Sequence, residues 1–490
     1  MWTKESLQET IKTKLSGRQL IVASNREPYI HEYAGRKIKC VRAISGMTTA
    51  LDPVLRACGG VWIAWGSGDA DRQTVDARNC VRVPPHDPKY TLKRIWLTKQ
   101  EEEGYYYGYS NQAIWPLCHI AYRQPVFNAQ DFEYYRTVNQ RFAEAILEEL
   151  NAKPAFVWLH DYQLALCAKF IKEKAPDVTT ALFWHTPWPN PEAFRICPQK
   201  KEILEGLLSN ELLGFHILYH CQNFLRTCEM ELEAQVVWED MSITYRGHKT
   251  FVRPFPISID AAAWSQLAAS PQVEEALKAL PTEIDPPYEI LAVGLDRIDY
   301  IKGIIEKLKA IDRFLEKYPQ YKGRFVFLQS LAPSRLHLKP YKQVIDEVQS
   351  LKEEINWKHG VGNWYPVVLI VQHLDYGSPK HLALLRAADL FIVGSLHDGM
   401  NLVAKEFVMA NVEQKGVLIL SQWTGSAREL KEAVLINPYD TDGFADAIAY
   451  AIEMSEAERR ERIQRMQQTI LENNIYRWAG TFIEELVKLK

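Results

Sequence analysis

The sequence predicts an α/β protein in which parallel sheets are covered by helices and the chain is divided into two large domains. Three observations carry this prediction. Short β-rich apolar runs alternate with longer stretches of helical periodicity through most of the chain. The runs are continuously apolar, the pattern of strands buried on both faces of a layered α/β domain. At 490 residues and 56.6 kDa, the chain exceeds what a single hydrophobic core organises. The expected architecture is two Rossmann-like domains facing each other across a deep cleft.

Taken in order, the first series of runs is "LIVAS" (20–24), "VWIAW" (61–65), "AFVWL" (155–159), "TALFW" (180–184) and "LLGFH" (212–216). The second series is "EILAVG" (289–294), "RFVFLQS" (324–330), "PVVLIV" (366–371), "DLFIV" (389–393) and "GVLILS" (416–421). Between them lies "AQVVWEDMSITYRGHKTFVRPFPISID" (234–260), which alternates, offers Arg246 and Gly247 as hairpin turn residues, and ends in prolines. The domain boundary falls there, giving an N-terminal domain over 1–257 and a C-terminal domain over 258–470. The amphipathic stretch over 471–490 has no strand of its own and is expected to pack back on the N-terminal domain.

Composition narrows the function classes. Hydrophobic residues are 47% and charged residues 24%, the balance of a globular protein, and the formal net charge of −3 provides no basic footprint for nucleic acid. The first twenty residues lack the apolar core of a signal peptide, and no run of about 18 apolar residues suits a membrane span. The eight cysteines all lie in the first half, none in a CxxC pair, and read as reduced core residues. The expectation is a cytoplasmic protein with small-molecule substrates, no nucleic-acid or membrane partner, and a homo-oligomer left open.

In open α/β sheets ligands bind beyond the carboxyl ends of the strands. The unusual residues sit there: "NREPY", "GSGDADR", "HDYQL", "HTPWPNPEAF", "DRIDYIKG", "APSR" and "HDGMNLVAKEF" each follow an apolar run. Arg297 and Lys302 of "DRIDYIKG" put a guanidinium and an ammonium at one turn, a pairing suited to phosphate. The competing reading is a surface ion pair of Arg297 with Asp296 or Asp299. In "HDGMNLVAKEF", Asp398 and Glu406 suit sugar hydroxyls, while a plainer reading makes Asp398 a helix cap and Glu406 a solvated helix residue. His185 ends one strand and Asp161 follows its neighbour, a polar pair at one sheet edge. The acidic triplets Asp69–Asp71 and Asp440–Asp442 could chelate a metal but are expected to be solvated loops. No HExxH, Walker or GxGxxG pattern is present.

Taken together, "SNRE", "HDYQL", "FWHTPWPNPEAFR", "LLGFH", "DRIDYIKG", "DGMNLVAKEF" and "LILSQWTGSA" closely resemble the trehalose-6-phosphate synthase family, in order from about Leu20 onward. The resemblance implies the GT-B fold. It also implies transfer of glucose from a nucleotide sugar, usually UDP-glucose, to glucose 6-phosphate with retention and without a metal or other cofactor. It assigns catalytic roles to Arg297, Lys302, Asp398 and His185. On the donor side it implies Gly46, Arg297, Lys302, Asp398, Gly399, Met400, Asn401, Leu402 and Glu406, the last for the ribose. On the acceptor side it implies Arg26, Trp65, Tyr106, Trp115, Asp161 and Arg335. Leu374 falls where relatives meet the base.

Some positions depart from the family pattern. The mobile glycine loop reads Ser45-Gly46 after a bulky "CVRAI", and His397 replaces the usual arginine. The insert "EPYIHEYAGRKIKC" is similar to glucosylglycerol-phosphate synthase, which uses glycerol 3-phosphate as acceptor. A non-catalytic sugar-phosphate sensor is a further reading, one expected to lose the cations and acids that this chain retains.

Overall fold

The computed structural model describes residues 2–15, 17–42, 46–150, 154–372 and 375–489. The chain forms two compact units, residues 1–257 with 475–490, and residues 258–474. All ten apolar runs read from the sequence are strands.

In the first unit, β1 (Gln19–Arg26), β4 (Val61–Trp65), β6 (Tyr90–Ile95), β7 (Ala155–His160), β8 (Thr179–Phe183), β9 (Leu212–Phe215) and β12 (His248–Pro254) are parallel, in spatial order β12-β9-β8-β7-β1-β4-β6. The antiparallel strand β5 (Cys80–Val83) closes one edge, and β10 (Gln235–Val237) and β11 (Ser242–Tyr245) extend the other. Every residue of β7 and β8 is buried, which explains their unbroken apolar sequence. Arg246 and Gly247 both take positive φ, 48° and 82°, the geometry that a two-residue turn between β11 and β12 requires. The "EPYIHEYAGRKIKC" insert forms a separate hairpin, β2 (Tyr29–Ala34) with β3 (Lys37–Arg42).

The second unit holds one six-stranded parallel sheet. Its strands are β13 (Ile290–Arg297), β14 (Phe325–Ala332), β15 (Val367–Val371), β16 (Leu390–Val393), β17 (Val417–Ser421) and β18 (Val434–Ile436). Their order, β15-β14-β13-β16-β17-β18, reverses direction between β13 and β16. That reversal is the switch point at which such sheets bind ligands. In the first unit the order reverses in the same way between β1 and β7.

The last helix, Ile475–Lys488, belongs to the first unit and starts four residues later than the pattern suggested, because the preceding helix runs on to Glu472. Phe482 stacks on Trp158 of β7 at 4.4 Å, and Trp478 meets Phe183 of β8 edge-on at 5.0 Å. A Cβ on Gly480 would lie 2.1 Å from the Trp2 ring, so glycine lets the N-terminal residues pack against this helix. No helix among the described residues is long and apolar enough to cross a membrane, and all eight cysteines are unpaired.

Candidate active site

In the second unit, β13 ends at Arg297 and the chain turns through Tyr300–Lys302 into the helix Ile304–Lys317. Gly303 makes this turn possible. Its φ is +61°, and a Cβ there would lie 1.9 Å from the carbonyl oxygen of Gly394. The turn thereby approaches the end of β16 closely enough for Lys302 Nζ to lie 2.5 Å from Asp398 Oδ2. The same oxygen accepts from Asn401 Nδ2 and Ser395 Oγ, each at 3.2 Å. Asn401, with φ of +73°, caps the helix Leu402–Ala410 by accepting from Ala404 N. Asp398 is therefore not the cap; its carboxylate is committed to Lys302 and the loop.

The loop after β17 clamps this one. Asp398 N donates to Trp423 O, Gly425 N donates to Asp398 O, and Ser426 N donates to Met400 O. A Cβ on Gly425 would lie 2.0 Å from Gly399 O, which explains the glycine in "QWTGSA". The backbone of Gly399–Leu402 is thus held between two strand ends.

The two acids beside Arg297 do not make surface ion pairs, and Glu406 is not solvated. Asp296 pairs with the fully buried Lys307 and accepts from Gln329 Nε2 at 3.1 Å. Asp299 is completely buried, with Arg335 Nη1 3.9 Å from its Oδ2. Glu406 is also buried, and its Oε1 accepts from Tyr376 OH at 2.6 Å. Desolvation pushes the Glu406 carboxyl up to about 7, against the lowering effect of that hydrogen bond.

In the first unit, Arg26 Nη2 donates to Tyr106 OH at 2.6 Å, and Trp65 packs 6.0 Å from the Tyr106 ring. Tyr106 is presented by an unexpected element, a π-helix over Glu102–Ile114. Gly104 and Gly108 let this helix lie against Tyr134 and Asp131, where a Cβ would come within 2.3 and 2.4 Å. Trp115 follows directly and packs 5.8 Å from Tyr162.

Asp161 takes φ of +74° beyond β7, and its Oδ1 accepts from the backbone N of His185 at 3.1 Å. The imidazole of His185 meets another histidine instead, with Nε2 3.0 Å from His160 Nδ1, while His216 Nε2 lies 3.0 Å from His185 O. Burial, reinforced by His160 and His216, holds His185 well below its ordinary range, so it is neutral at pH 7. Gly46 opens the helix Gly46–Cys58; Ser45 before it and Leu374 lie outside the described residues.

The acidic triplets are not solvated loops throughout. Asp71 is completely buried and pairs with the equally buried Arg94, whose Nε also lies 2.7 Å from Glu27 Oε2. A polar sequence texture could not reveal that partner, because Arg94 comes from β6. Asp69 accepts from Tyr33 N at 2.9 Å, Asp440 caps a helix through Gly443 N, and Asp442 pairs with Arg313. Among the described residues, no group of three His, Cys, Asp or Glu side chains is placed to hold a metal ion.

Residues 17–488 match the model of glycosyltransferase family 20. The chain belongs to this family. Members with similar sequences include a bifunctional trehalose-6-phosphate synthase/phosphatase of Thermoproteus tenax and a trehalose-6-phosphate synthase of Mycolicibacterium vanbaalenii, each 34% identical over 484 residues. These alignments cover 96% and 97% of this chain, and 64% and 97% of the respective relatives. The chain spans 63% of the length of another relative, the alpha,alpha-trehalose-phosphate synthase [UDP-forming] A of Dictyostelium discoideum, at 32% identity over 97% of this chain.

Two solved structures extend the family comparison. A trehalose-6-phosphate synthase from E. coli bound with UDP-2-fluoro glucose is 30% identical, covers 96% of this chain and 99% of its own, and superposes with a TM-score of 0.83. An alpha,alpha-trehalose-phosphate synthase (UDP-forming) from Burkholderia xenovorans, in complex with glucose-6-phosphate, is 27% identical with the same coverages and a TM-score of 0.85. The fold of this family 20 glycosyltransferase is GT-B, as the motifs implied.

Sequence reading passed over two neighbours of the site and placed a third, Asp299, at the surface. His160 lies in the quoted "HDYQL", so motif position alone could have flagged it. Tyr376 stands in a loop without apolar periodicity, where only the fold reveals that it reaches Glu406.

Proposed function

We propose that this chain is a retaining glucosyltransferase that moves glucose from UDP-glucose to glucose 6-phosphate, forming α,α-trehalose 6-phosphate and UDP. One observation carries the reading: the cationic turn after β13 is held at the switch point against Asp398. Support comes also from the E. coli structure bound with UDP-2-fluoro glucose and the Burkholderia structure in complex with glucose-6-phosphate.

In the reaction, the bond between the anomeric carbon and the donor's β-phosphate oxygen breaks, and negative charge grows on the diphosphate. Arg297 and Lys302 stabilise that charge. The acceptor hydroxyl attacks the anomeric carbon from the same face, and its proton passes to an oxygen of the departing phosphate. Asp398 is engaged with Lys302, Ser395 and Asn401, which suits holding donor hydroxyls and not forming a covalent intermediate. Neutral His185 offers the donor sugar a hydrogen-bonding group without adding charge. Two fixed cations make a divalent metal unnecessary, and eight unpaired cysteines support a reducing, cytoplasmic setting.

Glycerol 3-phosphate is the rival acceptor, raised by the resemblance to glucosylglycerol-phosphate synthase of the insert that forms the β2–β3 hairpin. Release of UDP from UDP-glucose, measured with each acceptor in turn, tests the proposal. The expected result is UDP formation with glucose 6-phosphate, unaffected by EDTA, and a product whose anomeric proton couplings report α configuration. Release with glycerol 3-phosphate alone would transfer the assignment to that acceptor. No release with either would refute the proposal.

A further inference from the structure

The turn after β13 carries an acid to which the transfer reaction gives no role. Asp299 is completely buried. Its Oδ1 accepts from Ile301 N at 3.3 Å, and its Oδ2 accepts no hydrogen bond from any described residue. A carboxylate so placed is costly unless cations compensate it. Burial raises its pKa from the ordinary value, and the charges of Arg335, Arg297 and Lys302, with the Ile301 N–H, work against that rise. Arg297 and Lys302 flank it in the turn, whereas Arg335 arrives from the loop after β14 with Nη1 3.9 Å from Asp299 Oδ2.

Arg335 is fixed from its other side as well. Its backbone is left-handed, with φ of +50°, and Nη1 donates to Tyr341 OH at 2.8 Å. The guanidinium carbon stands 5.5 Å from the centre of that ring, and Tyr300 from the β13 turn packs on Tyr341 at 5.7 Å. Two loops that the family resemblance assigns to different phosphates, the donor's for Arg297 and Lys302 and the acceptor's for Arg335, therefore share one buried counter-charge.

We propose that Asp299 is a positioning residue whose buried carboxylate gathers Arg297, Lys302 and Arg335 into a single anion-binding unit. The proposal rests on the reading that these cations meet phosphate groups. Asp299 acts in two opposite ways. It holds the three cations in register, and it tempers their combined field so that a bound anion is released. Replacing it with a neutral group of the same shape strengthens anion binding while slowing turnover. A purely structural role would not produce that pair of effects.

The test measures binding of inorganic pyrophosphate to the full chain by calorimetry at low and moderate salt. Asn in the Asp299→Asn variant can still accept from Ile301 N. The expected result is a dissociation constant at least about fivefold lower than wild type with a steeper salt dependence. Turnover of UDP-glucose with glucose 6-phosphate should fall about tenfold, with a lower KM for the donor. Unchanged or weaker pyrophosphate binding by a folded Asp299→Asn protein would overturn the proposal. Should that variant fail to fold, Arg335→Gln in the wild-type background decides the matter. It is expected to weaken pyrophosphate binding, and unchanged binding would overturn the single-unit claim. Tighter pyrophosphate binding by an Asp299→Asn protein whose wild-type parent turned over neither sugar substrate would leave this inference standing and remove the proposed function.

Discussion

Lys302 Nζ stands 2.5 Å from Asp398 Oδ2, joining the turn after β13 to the loop after β16 where the strand order reverses. The ammonium is thus held ready by a carboxylate that itself has two further hydrogen-bond donors. Removing either basic group at this turn should cost about 3 kcal/mol of transition-state stabilisation, roughly a hundredfold in rate. Lys302→Ala and Arg297→Ala are expected to lower kcat by that factor in folded protein. Wild-type kcat in Arg297→Ala would remove this residue from the mechanism.

Glu406 predicts a pH dependence of stability. Its carboxyl titrates at about 7 when folded, because burial opposes ionisation, against an ordinary value of 4.5. Between those values the folded chain holds a proton that the unfolded chain has released, so raising the pH across this window favours unfolding. The span corresponds to about 3 kcal/mol. Glu406→Gln retains an acceptor for Tyr376 and cannot ionise, so it should raise the melting temperature relative to wild type at pH 8 and not at pH 4.5. An equal effect at both values would contradict the assignment. Donor affinity of the wild-type protein should rise through pH 7 as the Glu406 carboxylate, proposed to hold the ribose, forms.

Arg94 predicts a large structural cost in the first unit. It is fully buried with Glu27 and Asp71, and it also donates to Tyr29 O at 3.0 Å. Burial raises the Glu27 pKa; it opposes ionisation of Asp71 too, but hydrogen bonds from His31 and Glu27 outweigh it there and keep Asp71 low. Arg94→Ala leaves the buried Asp71 carboxylate, and the Glu27 carboxyl bonded to it, without their cation and should destabilise the unit by about 3–5 kcal/mol, measured by thermal melting. A melting temperature close to wild type would mean that water already reaches the cluster.

Gly303 predicts an effect on activity from a single methyl group. The φ of +61° costs a non-glycine residue about 1–2 kcal/mol, and the added Cβ would overlap Gly394 O at 1.9 Å. Gly303→Ala should move Lys302 away from Asp398 and lower kcat while most of the sheet remains folded by circular dichroism. Full activity in that variant would show that the turn relaxes without disturbing the cation.

Much of the fold was legible because strands buried on both faces leave an unbroken apolar signature, as in "AFVWL" and "GVLILS". β6 escaped notice because Lys93 and Arg94 interrupt it, and these charges are tolerated in the interior through Glu148, Glu149, Glu27 and Asp71. The π-helix around Tyr106 has no simple periodicity to detect. At the candidate site, motif position singled out Arg297, Lys302, Asp398 and His185. Pairing was not legible: no motif signals that Lys302 binds Asp398, or that the His185 ring meets His160 in preference to Asp161. Such partners come from strands that are adjacent in the sheet and distant along the chain.

The most direct test of the central claim is a crystal structure of the chain soaked with UDP. The account predicts the diphosphate at the carboxyl end of β13, within hydrogen-bond distance of both Arg297 and Lys302, with Glu406 on the ribose. Ordered UDP whose phosphates contacted neither basic side chain would contradict it.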